Sequence, residues 1–151
     1  LVSSMGLREL ACQRAWLGQS TPGADSFTVA EILNWGRSFV ARETIDAPTA
    51  FDDVVEVFEV QDLMTARLHR LSGGQRQRAH LARIWLQGAR ITLLDEPDSS
   101  LDETGRSMLR GAVQACVRAG RTVVLVTHDR GWAMSEADVV WEVCAGRIVV
   151  G

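Results

Sequence analysis

The sequence predicts an α/β fold in which a sheet of parallel strands carries an inserted all-helical lobe. Residues 91–94 and 122–126 are short, continuously apolar runs, which are typical of parallel strands buried on both faces of a sheet. A helical pattern at 103–119 connects them, so the three segments form a strand–helix–strand unit. Every periodic segment between residues 19 and 88 has helical spacing instead, which predicts the lobe.

The elements up to the first buried strand follow from local signals. In order, we expect a short helix after Gly6, a strand at 14–18, a loop at 19–23, a helix at 27–39, a connector at 42–47, a helix opened by Pro48, a short turn capped by Asp62 and a helix at 74–87. Proline is tolerated in a first helical turn, which is why Pro48 opens a helix. Arg76, Arg78 and Arg83 are interpreted as the solvated face of the last helix.

The remaining elements complete the core. Gly120 ends the 103–119 helix, a short helix covers 132–136, and strands at 139–143 and 147–150 form a hairpin. We therefore expect a single, partial domain, in which residues 1–18 and 89–151 form the α/β core and residues 19–88 form the helical subdomain.

Composition narrows the function classes. The chain has 151 residues and a net charge of −3, which gives no case for a nucleic-acid partner. It has no apolar run of the ~20 residues that span a bilayer. It begins without a signal-peptide pattern and without methionine, and we expect it to be cut from a longer protein. Cys12, Cys116 and Cys144 lack metal-ligand spacing and are interpreted as buried thiols in a reducing compartment.

The carboxyl end of the first buried strand is predicted to carry chemistry, because open α/β sheets bind ligands there. Asp95 is positioned to hold Mg²⁺, and Glu96 to polarise an attacking water. His128 follows the second strand, so we expect it at the same edge, where it can bond a phosphate or orient the water. An Asp-Glu pair also occurs by chance after strands, and lone histidines are usually structural, as we interpret His69 and His80.

Two polar segments precede helices. Ser72-Gly73-Gly74 allows a phosphate to approach backbone N–H groups at a helix N-terminus. The alternative is an ordinary cap by Ser72, although two consecutive glycines are costly for a cap alone. Asp102 precedes the 103–119 helix, and we expect it both to cap that helix and to have a functional role.

These motifs, in this order, resemble the nucleotide-binding domain of ATP-binding-cassette (ABC) ATPases of the transporter type. Residues 71–75 match the LSGGQ signature without a mismatch, and residues 91–96 match Walker B with its catalytic glutamate. Residues 99–102 resemble the D-loop. His128 falls at the position of the switch histidine and Gln19 at that of the Q-loop glutamine. The resemblance extends over the whole chain.

The chain departs from the family pattern in two respects. Asp98 stands where the family usually has threonine or asparagine, a change that we expect to be tolerated. The sequence also contains no G-x-x-x-x-G-K-[ST] loop, and all 16 of its basic residues are arginine. The resemblance implies that the adenine-stacking aromatic residue and Walker A, roughly the first third of such a domain, are absent.

The resemblance implies a partial P-loop NTPase-type parallel sheet with an inserted helical signature subdomain. It also implies head-to-tail dimers, with ATP between Walker A of one subunit and the signature of the other. The implied catalytic residues are Glu96 and His128, the nucleotide-binding residues are Gln19, Ser72, Gly73, Gly74, Gln75 and Asp102, and the Mg²⁺ ligands are Asp95 and Gln19. On this pattern the signature contacts the γ-phosphate held by the partner, and Asp102 reaches across the dimer.

The implied function is that of an ATP-binding and ATP-hydrolysing subunit of an ABC membrane transporter. Its implied partners are a second ABC ATPase subunit and transmembrane permease subunits, and its place is peripheral, at the cytoplasmic face of the cell membrane. Residues 14–19 and 27–29 most resemble importers of the iron-chelate and cobalamin kind. Two alternatives stay open: a soluble, non-transport ABC ATPase, and a truncated half-site protein without hydrolysis of its own. We expect the 151-residue chain alone to be inactive.

Overall fold

The computed structural model describes residues 4–18, 23–38 and 50–150, without the side chains of Val149 and Val150. Its regular elements are α1 (Leu7–Gln13), β1 (Arg14–Leu17), α2 (Val29–Arg37), α3 (Phe51–Val57), α4 (Gly73–Gln87), β2 (Ile91–Asp95), α5 (Glu103–Arg118), β3 (Thr122–Val126), α6 (Arg130–Glu136), β4 (Trp141–Cys144) and β5 (Arg147–Val150). Short 3₁₀ turns lie at Gln61–Leu63 and Leu68–Arg70. The predicted elements within these ranges are confirmed in type, with ends that differ by a few residues. The predicted cap by Asp62 is wrong, because Asp62 lies inside the turn Gln61–Leu63, which begins after Val60 without a side-chain cap. Residues 19–22, the connector at 42–47 and Pro48 lie outside the described residues.

The three strands β1, β2 and β3 form one sheet, in that order, and all are parallel. Trp16 pairs with Leu93, which in turn pairs with Val124, and Asp95 ends β2 opposite Val126. Because the strands are parallel, their carboxyl ends share one edge, and the turns that follow β2 and β3 lie side by side. The predicted strand–helix–strand unit is therefore confirmed.

One face of this sheet is covered and the other is open within the described part of the chain. Ala15, Leu17 and Leu94 are buried where α4 packs against β1 and α5 packs against β3. On the opposite face Trp16 is 63% exposed and Val126 is 54% exposed. The prediction that residues 91–94 and 122–126 are buried on both faces is therefore wrong here, since Ile91 and Val124 are each 42% exposed as well. Continuous apolar runs show that both faces are apolar, but they do not show that both are covered.

The helices of residues 29–87 pack around α4. A Cβ on Gly36 of α2 would lie 2.3 Å from the carbonyl oxygen of Arg83, so only glycine allows α2 to approach α4 this closely. Phe58 and Trp85 meet edge to face with ring centroids 5.3 Å apart. Within residues 4–18, 23–38 and 50–150, no helix combines the length and the apolar character that a bilayer crossing needs.

The arginines of α4 are not a simple solvated face. Arg78 pairs with Glu59 at 2.6 Å, and Arg83 is half-buried. Burial lowers the pKa of the Arg83 guanidinium. The interpretation of Arg76, Arg78 and Arg83 as a solvated face is therefore wrong, since all three are partly covered and the side chain of Arg78 is only 22% exposed.

The hairpin of β4 and β5 turns at Ala145 and Gly146, whose φ angles are 49° and 76°. Two positive φ angles in a two-residue loop are typical of the type I′ turn that suits the twist of paired strands. Cys144, at the end of β4, is exposed, whereas Cys116 in α5 is buried. The interpretation of the cysteines as buried thiols is therefore wrong for Cys144.

Candidate functional site

The turn after β2 holds Glu96 in a left-handed conformation. Its φ angle is 48°, which is uncommon for a residue that carries a side chain. The backbone N–H of Glu96 donates to the carbonyl of Val126 at 2.9 Å, so pairing with β3 continues one residue past the end of β2. The carbonyl of Glu96 accepts from the N–H of Ser99 at 3.3 Å. Contacts on both sides therefore set the point at which this side chain leaves the sheet.

The side chains of Glu96 and His128 meet at this edge, although they are 32 residues apart in the sequence. Nε2 of His128 lies 2.9 Å from Oε1 of Glu96. An ionised carboxylate can only accept, so the ring nitrogen donates in this bond. The histidine side chain is 90% exposed and the glutamate side chain 28% exposed. The expectation that both lie at one sheet edge is confirmed, and their catalytic roles stay predictions.

Asp95, the last residue of β2, has a half-buried carboxylate. It makes no hydrogen bond or ion pair within the described part of the chain, so its lone pairs are available to a ligand. No cluster of three His, Cys, Asp or Glu side chains suited to a metal occurs among the described residues. Mg²⁺ characteristically takes one or two carboxylates and completes its shell with water and phosphate oxygens. Asp95 therefore fits a Mg²⁺ ligand of this sparse kind.

The signature segment forms a closed local structure at the start of α4. The backbone N–H of Gln75 donates to Oγ of Ser72 at 3.2 Å, and the N–H of Ser72 donates to Oε1 of Gln75 at 3.0 Å. This reciprocal arrangement is a capping box. The backbone N–H groups of Gly73 and Gly74 have no partner in the described residues and stay available.

The two glycines of the signature also have a packing role. A Cβ on Gly74 would lie 3.1 Å from the carbonyl oxygen of Ser100, and one on Gly73 would lie 3.7 Å from Cβ of Ser100. The start of α4 is thus held close to the loop that follows Glu96. The costly glycine pair is explained in part by this approach, which the sequence did not indicate.

Asp102 caps α5, as the sequence predicted. Its Oδ1 accepts from the N–H of Gly105 at 2.8 Å. Gln19 lies outside the described residues, and its two predicted roles remain untested. No hydrogen bond joins the signature segment 72–75 to Glu96, His128 or Asp102 within the described chain.

Sequence reasoning missed a direct bridge between α4 and the turn after β2. Nε2 of Gln77 donates to the carbonyl of Pro97 at 2.8 Å in a partly buried position. Gln77 follows the signature by two residues, and this proximity was the only available signal.

Sequence reasoning also missed a chain of contacts around His128. Oγ1 of Thr127 donates to Oδ2 of Asp98 at 3.0 Å and accepts from the N–H of Asp129 at 3.0 Å. The carboxylate of Asp129 accepts from the N–H of Trp132 at 2.9 Å and from Nη2 of Arg110 at 2.7 Å. The Trp132 N–H first, and then the Arg110 guanidinium, hold the pKa of Asp129 below its ordinary value.

Residues 6–99, more than half of the chain, match the sequence profile of a known family, which is described as ABC transporter. The chain belongs to the ABC transporter family. It is 34% identical over 155 residues to the hemin import ATP-binding protein HmuV of Rhodopseudomonas palustris, with 97% of this chain and 57% of that protein covered. It is 32% identical over 149 residues to the vitamin B12 import ATP-binding protein BtuD of Yersinia pseudotuberculosis, with 94% of this chain and 58% of that protein covered.

A solved structure of an ATP-binding subunit of an ABC transporter has the same fold. It superposes with a TM-score of 0.82 at 18% identity, with 97% of this chain and 61% of that chain covered. The predicted fold class, the sheet core of P-loop NTPases with a helical insertion, is therefore confirmed. The ABC transporter chain spans little more than half the length of the relatives it matches, 57% and 58% of the two import proteins.

Proposed function

We propose that this ABC transporter chain belongs to an ATP-binding and ATP-hydrolysing subunit that powers a membrane transporter. The observation that carries the proposal is the 2.9 Å contact of His128 with Glu96 at the carboxyl end of two parallel strands. Asp95 lies one residue away, and its carboxylate has no partner among the residues that the structure describes. An acceptor for the attacking water and a hard oxygen ligand for Mg²⁺ are among the groups that phosphoryl transfer to water uses, and an imidazole beside them can orient that water.

Each residue has a definite task in this proposal. Glu96 accepts a hydrogen bond from the attacking water and polarises it, and His128 orients the water or bonds the terminal phosphate. Asp95, together with Gln19, would hold Mg²⁺, which would supply charge neutralisation at the phosphate. One carboxylate oxygen of Asp102 caps α5, and the other, which has no partner among the described residues, is assigned to the partner subunit.

The signature segment binds phosphate through its backbone rather than through a positive side chain. The capping box uses the N–H of Gln75, whereas the N–H groups of Gly73 and Gly74 have no partner in the described part of the chain and lie at the positive end of a 15-residue helix. Ser72 and Gln75 hold that end in shape. We assign these four residues to the γ-phosphate of a nucleotide bound mainly by a second ABC ATPase subunit in a head-to-tail dimer.

The fold and the relatives support the proposed assembly. Residues 1–18 and 89–151 are assigned to the α/β core, and residues 19–88 to the helical subdomain that contacts transmembrane permease subunits. The protein is placed as a peripheral subunit at the cytoplasmic face of the membrane. Two similar proteins are named for import of hemin and of vitamin B12, which supports an importer of the iron-chelate or cobalamin kind.

The deciding experiment is Glu96→Gln in the protein expressed from its complete gene and assembled with its partner subunits. We expect ATP hydrolysis to fall at least about a hundredfold while ATP binding is kept, since the amide retains the shape but not the basicity of the carboxylate. Glu103→Gln, the same change at an exposed position in the first turn of α5, is the matched control and keeps full hydrolysis. Undiminished hydrolysis by Glu96→Gln would contradict the proposal.

A further inference from the structure

We propose that Asp98 and Thr127 are positioning residues, whose hydrogen bond holds His128 against Glu96. The inference rests on the proposed ATPase function and adds two residues to its machinery. Neither residue is expected to touch nucleotide or water; both act through the histidine between β3 and α6.

The histidine needs such support because little else holds its ring. Its side chain is 90% exposed, and its hydrogen bond to Glu96 is its one polar side-chain contact within the described residues. An exposed pair of this kind contributes little to order by itself, since water competes for both partners. The ring therefore takes its position from the backbone on either side of it.

Thr127 fixes the backbone just before the histidine. Its hydroxyl donates to Oδ2 of Asp98 at 3.0 Å and accepts from the N–H of Asp129 at 3.0 Å. The same side chain therefore bonds within the turn after β3 and also to the turn after β2. Asp98 lies two residues beyond Glu96, in the turn after β2. The Thr127–Asp98 bond thus ties the turn that carries His128 to the turn that carries Glu96.

Asp129 fixes the backbone just after the histidine. Its Oδ1 accepts from the N–H of Trp132 and caps α6, while its Oδ2 accepts from Arg110 of α5. The Arg110 guanidinium also lies 5.5 Å from the centre of the Trp132 ring. With this side anchored to α5 and α6, the hydroxyl of Thr127 ties the other side to the turn after β2, in addition to the backbone hydrogen bond from Glu96 to Val126.

The test removes that hydroxyl in the protein expressed from its complete gene, with its partner subunits. Thr127→Val keeps the side-chain shape and is expected to lower kcat at least about tenfold with KM for ATP within about twofold, because a misplaced group affects the reaction more than binding. Thr127→Ser restores the hydroxyl and is expected to recover kcat to within about threefold. Thr122→Val, at the exposed start of β3, is the matched control and keeps wild-type kcat.

A double-mutant cycle separates positioning from general stability. Asp98→Ala removes the acceptor from the other turn, and the double variant should lose no more kcat than Thr127→Val alone, because the Thr127–Asp98 bond is already absent in that variant. In NMR spectra, the ring signals of His128 should broaden in both single variants and not in Thr122→Val. Asp98→Ala also keeps the test available if Thr127→Val folds poorly.

The outcomes distinguish this inference from the proposed function. Wild-type kcat in folded Thr127→Val or Asp98→Ala, or fully additive losses in the cycle, would overturn the positioning role while Glu96→Gln still abolished hydrolysis. Full hydrolysis by Glu96→Gln would instead refute the proposed function. A loss that appears in melting temperature alone, with kcat and the His128 signals unchanged, also counts against positioning.

Discussion

The two halves of the candidate site are held together in different ways. The signature half, Ser72 to Gln75, is held by two reciprocal hydrogen bonds within four consecutive residues at one helix end. The strand-edge half depends on contacts between distant segments, such as Glu96 with His128 and Thr127 with Asp98. The capping box depends only on the start of α4, so it keeps its shape if that helix moves. The strand edge keeps its geometry only while α5, α6 and the turns after β2 and β3 stay in place.

The largest expected effect is a pH dependence of stability that comes from His80 in α4, the helix that begins with the signature half. Burial, and then the charges of Arg83 and Arg76, lower the pKa of His80 in α4 to about 4, while Asp25 raises it slightly. The ordinary value is 6.5, so the unfolded chain binds the proton more readily between these two pH values. Stability is complete above this window and is lost as the pH falls through it. From pH 7 to pH 5 we expect the free energy of unfolding to drop by about 2 kcal/mol.

Urea unfolding at the two pH values measures this effect. His80→Gln should remove most of the dependence, because no buried imidazole then titrates. His69→Gln is the control at an exposed histidine and should keep it. An equal drop in wild type and His80→Gln would show that His80 is not its source.

The second prediction tests whether Ser72 to Gln75 bind phosphate in addition to capping α4. Thr28 and Glu31 form the same capping box on α2 that Ser72 and Gln75 form on α4. Each serine or threonine to alanine change should cost about 1 kcal/mol of stability. If the signature binds phosphate, Ser72→Ala should also lower ATP hydrolysis about tenfold, and Thr28→Ala should leave it within about twofold. Equal hydrolysis in the two variants would show that Ser72 acts only as a helix cap.

The smallest expected effect concerns the hydrogen bond from Gln77 to Pro97, which bridges α4 and the turn after β2. Gln77→Leu leaves the carbonyl of Pro97 without its donor in a partly buried place, which should cost about 1 kcal/mol. Gln114→Leu removes an exposed bond to Glu136 and should change the free energy of unfolding by only a few tenths of a kcal/mol. The two variants are compared by urea unfolding at pH 7. Indistinguishable midpoints would mean that the bridge does not couple the halves.

The contrast between the halves also explains which features could be predicted. The caps at Ser72 and Asp102 depend on residue type and position alone, so the sequence was sufficient for them. The meeting of Glu96 and His128 required only that two parallel strands end at one edge. The positions of β2 and β3 followed from their apolar runs.

What could not be predicted depends on distances between segments far apart in the chain. Nothing near Asp98 marks Thr127 as its partner, and nothing near Arg110 indicates Asp129. The open sheet face could not be predicted for the same reason. Apolarity is a property of the strand, whereas coverage is a property of what packs on it, and Trp16 shows the difference.

That open face gives the protein a built-in optical reporter. The chain has five tryptophans and no tyrosine, so its ultraviolet emission comes from indole rings alone. Trp85 and Trp132 are 7% and 4% exposed and supply a background that changes little, whereas Trp16 is 63% exposed on the open face. Trp35 and Trp141 are also exposed, at 42% and 63%, and are replaced by phenylalanine to isolate the signal of Trp16. Any surface that packs against the sheet then dehydrates that ring and moves its emission to shorter wavelengths.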